Sequence, residues 1–146
     1  MEADFLQRNI HWVVLALAAA TFLIVDTIRN LGNKSMISPL EATLKINRDD
    51  AVVIDVREQG EYAQGHIPNA RHIPLGELER RTPELEKFKP APIILCCASG
   101  ARSRGAAAKL KKAGFDEVFN LKGGLMEWEK AGNPLTTGRK PKGKKA

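Results

Sequence analysis

The chain has 146 residues, 43% of them hydrophobic and only 5% aromatic, with a formal charge of +6; this length holds one compact domain plus an anchor or tails, and aliphatic richness favours a helix-and-sheet domain over a small aromatic β module. Arg139, Lys140, Lys142, Lys144 and Lys145 supply five of the six net charges, so the remaining body is nearly neutral and the folded part is not read as a nucleic-acid binder. Two adjacent cysteines make no disulfide framework, which argues for a reducing compartment and a working or buried thiol.

Residues 1–9 form an N-terminal segment. Trp12 to Val25 carry no charge, and a helix over 10–28 would span about 28 Å, close to a hydrocarbon core of ~30 Å. A signal peptide is a poor alternative: Glu2 and Asp4 stand where a positive n-region belongs, and no small-residue cleavage site follows Val25. The expectation is one transmembrane helix over 10–28. Arg29 and Lys34 follow it closely, against Arg8 with Glu2 and Asp4 before it, which places the C-terminal side in the cytoplasm.

Residues 29–35, with Gly32 and Asn33, read as a linker. Ser38-Pro39-Leu40-Glu41 combines an N-cap, a first-turn proline and a capping-box glutamate, with Leu40, Leu44 and Ile46 as the apolar face. Asn47 to Asp50 reads as a turn and Ala51 to Asp55 as a central strand ending in Asp55 and Arg57. Glu58 to Gln64 is a short helix stopped by Gly65, and His66 to Ala70 a turn before a strand near Arg71 to Ile73. Leu75 to Glu86 reads as a surface helix interrupted near Thr82-Pro83.

Ile93 to Leu95 is a buried strand ending in Cys96-Cys97-Ala98-Ser99-Gly100-Ala101-Arg102-Ser103. A loop of small residues lets successive amides turn inward, and a following helix adds its positive dipole end, so an anion can be held over the loop and a thiol at its mouth would sit as thiolate. That helix places Ala106, Ala107, Leu110, Ala113 and Phe115 at helical spacing, with Gly114 as cap. Glu117 to Leu121 is another strand, and Gly123-Gly124 opens a last helix bearing Leu125, Met126 and Trp128. Strands alternating with helices predict an α/β fold with an open parallel sheet and helices on both faces. Such sheets bind ligands at the carboxyl ends of their strands, so Asp55, Arg57 and Cys97 are expected to face one place. The segment 135–146 reads as a basic disordered tail.

The ordered set Asp55-Val56-Arg57, Glu61-Tyr62, Gly65-His66-Ile67-Pro68-Asn69-Ala70, Ile73-Pro74, the Cys97 loop, and Gly123-Gly124 with Trp128 resembles a single-domain rhodanese over residues 36–134. Asn69 stands where that family usually has glycine, and Cys96 replaces an aromatic or apolar residue. With the anchor in front, the whole resembles a membrane-tethered rhodanese of bacterial type, on the inner membrane with its domain facing the cytoplasm.

The resemblance implies sulfur transfer. Cys97 would take the outer sulfur of thiosulfate or a related donor as a persulfide and pass it to a thiophilic acceptor. The amides from Ala98 through Ser99, Gly100, Ala101, Arg102 and Ser103 would cradle the anion, with the Arg102 charge attracting the donor and lowering the thiol pKa. Asp55 and Arg57 would support the site. Partners are then a sulfur donor, a thiol acceptor and the membrane; no cofactor, metal or nucleic acid is implied. Counted from Cys97, Arg102 closes a C-x4-R loop; counted from Cys96 it closes C-x5-R, the spacing of related phosphatases and arsenate reductases, which resemble one another in a histidine where Leu95 stands here. The alternative of another class is a tethered rhodanese-fold scaffold for a membrane-protein partner, for which an intact Cys97 and Arg102 would not be needed. Glu61 and Tyr62 are read as packing residues, His66 as a backbone-bonded turn residue, and Gly123-Gly124 as no nucleotide fingerprint.

Overall fold

The computed structural model describes residues 2–137, and the chain divides between Lys34 and Ser35 into two units. The first is a single helix, α1 (Glu2–Asn33). Its span Asp4–Arg29, with mean hydropathy 1.9, is long and apolar enough to cross a membrane, and Phe5, Trp12, Leu15, Phe22, Ile24 and Ile28 are all exposed along it. The helix outruns the expected 10–28 at both ends and absorbs most of the expected linker. Once a long helix exists, each further turn costs little, so residues 2–9 join it and it stops only at the poor helix formers Gly32 and Asn33.

The second unit is a five-stranded, wholly parallel sheet in the order β1-β5-β4-β2-β3. It comprises β1 (Met36–Ile37), α2 (Pro39–Asp49), β2 (Val52–Asp55), α3 (Gln59–Gln64), β3 (Arg71–His72), α4 (Leu78–Arg81), β4 (Ile93–Cys96), α5 (Ala101–Lys112), β5 (Val118–Leu121) and α6 (Gly124–Lys130). The capping box of α2 forms as expected: the Glu41 amide donates to Ser38 Oγ at 3.2 Å and the Ser38 amide to Glu41 Oε2 at 2.7 Å.

β4 is central and buried along its whole length, as a parallel strand covered on both faces must be. Ile93, Leu95 and Cys97 pack with Ile54, Leu78, Leu85, Ala106 and Leu110 on one face. Ile94 and Cys96 pack with Ile37, Ala42, Val53, Leu125 and Trp128 on the other. The two-residue period of a strand therefore sends the adjacent cysteines to opposite faces of the sheet.

Several local expectations change. The turn read at Asn47 to Asp50 is the last stretch of α2, which ends only when Asp50 turns left-handed at φ 53° and donates its amide to the Lys45 carbonyl. The buried face of α2 is Ala42 with Ile46, whereas Leu40 and Leu44 are 69% and 40% exposed. β1 takes up two residues after the linker because the amides of Asn120 and Lys122 donate to Ser35 and Ile37. The segment Leu75 to Glu86 breaks into 3-10 turns over Leu75–Glu77 and Thr82–Phe88 around α4, and it is not purely a surface element, since Leu78 and Leu85 are buried. Leu135 packs against the core and Thr136 bridges His66, so the expected tail begins in ordered structure; from residue 138 on it lies outside the described residues. Asn69 adopts φ 65°, a left-handed conformation that asparagine, like glycine, accepts at small cost.

Candidate active site

β4 delivers Cys97 at its carboxyl end, and α5 starts four residues later, so the intervening loop must reverse the chain tightly. Gly100 makes the reversal at φ 95°, where a side chain would be strained. Its amide donates to Cys97 Sγ at 3.0 Å, and Ser103 Oγ, from the first turn of α5, lies 3.5 Å from the same sulfur. Burial pushes the Cys97 thiol up, but the Ser103 hydroxyl and the amides of Ser103, Ser99 and Gly100 outweigh it, and the thiol stands below its ordinary pKa. An anionic sulfur at this position is thus held by dipoles already in place. Cys96 meets the opposite environment: buried among apolar side chains and beside Asp55, its thiol is pushed well above the ordinary value.

The α6 end closes the loop from behind. Its amides at Leu125 and Met126 donate to the Cys97 and Ala98 carbonyls at 2.9 and 3.2 Å, which turns those carbonyls away and leaves the opposite edge of the loop presenting N–H groups. Ser99 and Ala101 are exposed at the rim, and Ala98 is half-buried. The Cys97 side chain itself is fully covered, so a reagent reaches it only when this rim opens.

Asn120, from β5, holds the loop from below. Its Nδ2 donates to the Gly100 carbonyl at 3.1 Å, and its Oδ1 accepts from Ser103 Oγ at 2.5 Å. Ser103 has a single hydroxyl proton and also lies 3.3 Å from the Gly100 carbonyl. Its rotation from Asn120 to Sγ is the response available when the thiol ionises. Replacing Ser103 by alanine is expected to raise the Cys97 pKa and to slow alkylation at neutral pH about fivefold, the loss of one hydrogen bond of ~1 kcal/mol. The rate of Cys97 alkylation followed against pH would shift to higher pH; an unmoved curve would leave the thiolate to the amides alone.

Asp55 and Arg57 are brought near the loop but do not face Cys97. Asp55 lies in register with Cys96, and its carboxylate accepts from Arg57 Nε and from an Arg57 terminal nitrogen at 2.7 Å, both side chains being buried. Arg57 then reaches the Gly65 carbonyl at 2.6 Å and the Glu61 carbonyl at 3.3 Å, so the pair clamps α3 at its middle and at its C-cap. That clamp presents a residue expected only to pack: the Glu61 carboxylate binds both terminal nitrogens of Arg102, at 2.6 and 2.8 Å. The charge of Arg102 does interact with that of Cys97, but it is shared with a carboxylate. Arg102 is paired across the loop mouth with Glu61, whose pKa it holds down at about 2, and the largest pull on the thiol comes from Ser103 and the amides.

His66 and His72 stack on the two faces of Tyr62, with ring centroids 3.8 and 4.4 Å away. Both donate to backbone carbonyls, His66 Nδ1 to Tyr62 at 2.9 Å and His72 Nε2 to Arg57 at 2.7 Å. These are the contacts of turn residues.

Known proteins share the sequence pattern and the fold of this chain. Residues 38–131 match the rhodanese-like domain family. The chain is 36% identical over 133 residues to the uncharacterized protein YibN of Escherichia coli strain K12, covering 90% of each. It is 36% identical over 104 residues to the thiosulfate sulfurtransferase GlpE of Coxiella burnetii, covering 71% of this chain and 94% of the relative. Among solved structures, a rhodanese-related protein from Thermoplasma volcanium superposes with a TM-score of 0.62 at 31% identity, over 70% of this chain and 98% of that one.

Proposed function

Because this chain belongs to the rhodanese-like domain family, we propose that it moves sulfane sulfur from thiosulfate or a related anionic donor to a thiol acceptor through a persulfide on Cys97, held at a membrane by α1. The observation that carries this reading is the convergence of Gly100 N–H and Ser103 Oγ on Cys97 Sγ. The Cys97 thiolate attacks the outer sulfur of thiosulfate; a sulfur–sulfur bond forms, the bond to the sulfonate sulfur breaks, and sulfite leaves with that electron pair. The new terminal sulfur keeps the negative charge beneath the same amides. An acceptor thiolate then attacks this sulfur, the persulfide bond breaks, and Cys97 returns as thiolate.

For the tether, the support is the span Asp4–Arg29 with its apolar side chains uncovered. The basic residues Arg29 and Lys34 beyond it favour a cytoplasmic domain, at the inner membrane of a bacterial cell. In this reading 36–134 is the sulfurtransferase domain, with Cys97 the nucleophile, the backbone from Ala98 to Ser103 the anion cradle, and Asp55 and Arg57 its buttress.

One preparation tests both parts. After ultracentrifugation of a lysate the full chain is expected in the membrane fraction, released by detergent. The released chain, given thiosulfate, is expected to gain the mass of one sulfur on Cys97 and to convert cyanide to thiocyanate. A chain that stays soluble overturns the tether, and one that gains no sulfur overturns the transfer.

A further inference from the structure

We propose that Glu61 is a specificity-determining residue: by occupying both arms of Arg102 at the loop mouth, it sets how strongly the site discriminates among donors by their charge. The inference rests on the sulfur-transfer reading for its substrate, and on geometry for its mechanism.

Arg102 lies in the first turn of α5, within the cradle backbone, and its side chain and that of Glu61 are each 37% exposed. They face each other across 41 residues of sequence through two short, parallel hydrogen bonds, the fork-to-fork arrangement that leaves a guanidinium few free donors. Glu61 is not free to leave. The backbone of α3 is held at the Glu61 and Gly65 carbonyls by Arg57, which is itself locked on buried Asp55, and the Glu58 amide donates to Glu61 Oε1 at 3.3 Å. Four charged residues thus run from the core to the rim, and the last link cancels the charge of the guanidinium that closes the loop.

A paired Arg102 attracts an incoming anion weakly, because the carboxylate repels what the guanidinium draws in. The cradle amides and the helix dipole then supply most of the binding, and these act at short range on the transferred sulfur whatever the rest of the donor carries. The wild-type site is therefore tuned for tolerance: monoanionic donors, including persulfides and thiosulfonates, are handled on terms close to the thiosulfate dianion. Removing the Glu61 charge frees the guanidinium of its hydrogen-bonded partner and leaves only the Glu58 carboxylate, which is not bonded to it, acting on it, so the mouth becomes more positive by one charge. The gain then scales with donor charge, since Coulomb energy is linear in charge: about threefold for a monoanion and, as the square of that factor, about tenfold for a dianion.

The test uses the full-length chain in detergent micelles with Cys96→Ala, so that Cys97 is the only thiol, and compares Glu61, Glu61→Gln and Glu61→Asp. The first readout is the ratio of Cys97 alkylation rates by iodoacetate and iodoacetamide, which carry one negative charge and none; thiol pKa and loop opening act on both reagents alike and cancel. Glu61→Gln is expected to raise the ratio about threefold at low salt, fading toward wild type as the Debye length shortens, and Glu61→Asp to leave it near wild type. The second readout is KM for thiosulfate and for benzenethiosulfonate, expected to fall about tenfold and about threefold in Glu61→Gln. An unchanged alkylation ratio, or one that rises equally in Glu61→Asp, overturns the assignment of Glu61. If wild type turns over neither donor, the sulfur-transfer reading falls, while the alkylation ratio still decides whether Glu61 governs charge at this mouth.

Discussion

Replacing Cys97 by serine is expected to lower thiosulfate-dependent sulfite release by roughly 10³-fold or more, with no added sulfur in the intact mass, whereas Cys96→Ala should stay within about threefold of wild type. The two residues are neighbours in sequence and share the Arg102 that closes the loop, so spacing alone leaves both open. Position in the sheet separates them. Cys96 is the last residue of β4, fully buried with Val53, Ile94 and Leu121 on the α2 and α6 face, and its thiol is held up by burial and by Asp55. Cys97 is one residue further, on the other face, with an amide and a hydroxyl on its sulfur. A serine hydroxyl at 97 is a far weaker nucleophile at neutral pH and does not yield the persulfide. Cys96→Ala removes one buried sulfur from the core, a cost of about 1 kcal/mol that urea denaturation would register without loss of transfer. The reverse pattern, activity lost at 96 and kept at 97, would move the nucleophile one residue upstream and the loop to the longer phosphatase-like spacing.

The opposite facing of the two cysteines also bears on how, in the proposed cycle, Cys97 would be relieved of its sulfur. Cys96 is buried on the opposite face of the sheet from Cys97 and could not reach a persulfide there without breaking the sheet, so in the proposed cycle the acceptor thiol comes from outside the domain. An outside acceptor meets Ser99 and Ala101, which are small, and the Glu61–Arg102 pair.

Strands β2 to β5 and the cysteine loop are legible because their signals are local, whereas the two residues of β1 carry none. Val52 to Asp55 and Ile93 to Cys96 are short branched runs bounded by turns, and the capping box at Ser38 lies within four residues. The Glu61–Arg102 pair had no such signal: 41 residues separate its members, and Glu61 at the third position of a short helix looks like an ordinary first-turn acid. Asn120 was hidden for the same reason. Inside an apolar strand it reads as a polar interruption, and its purpose appears only once β5 lies beside β4 and brings it to Gly100 and Ser103. On α2 the periodicity is right for a helix and the face is right only at Ile46. Leu40 and Leu44 follow helical spacing but are exposed, and Ala42 packs in the core beside Ile46 instead. The α1 boundaries were missed because hydropathy marks the apolar stretch alone, whereas helix formation continues until residues that disfavour it.

Gly124→Ala is expected to destabilise the domain by about 3 kcal/mol or more and to depress sulfur transfer at least tenfold. Gly124 has φ +59°, and a Cβ there would sit 2.3 Å from the Cys97 carbonyl oxygen and 2.7 Å from the Ala98 carbonyl carbon. Both neighbours are backbone, so no side chain can swing aside. Relief requires α6 to retreat from the loop, and retreat breaks the Leu125 and Met126 amide bonds to those carbonyls. The carbonyls would then be free to rotate, and the N–H edge they hold toward Sγ would lose its register, so the damage to stability and to the thiolate arises from one displacement. Gly105→Ala separates this from a general effect of removing glycine. Gly105 lies in α5 on the exposed side, and a Cβ there would meet nothing within 4 Å; alanine at this position should stabilise by about 0.5–1 kcal/mol through helix propensity and leave transfer intact. Urea midpoints and sulfite release measured on both variants give the comparison; equal behaviour would mean that α6 does not hold the loop, and that the amides over Cys97 keep their places without it.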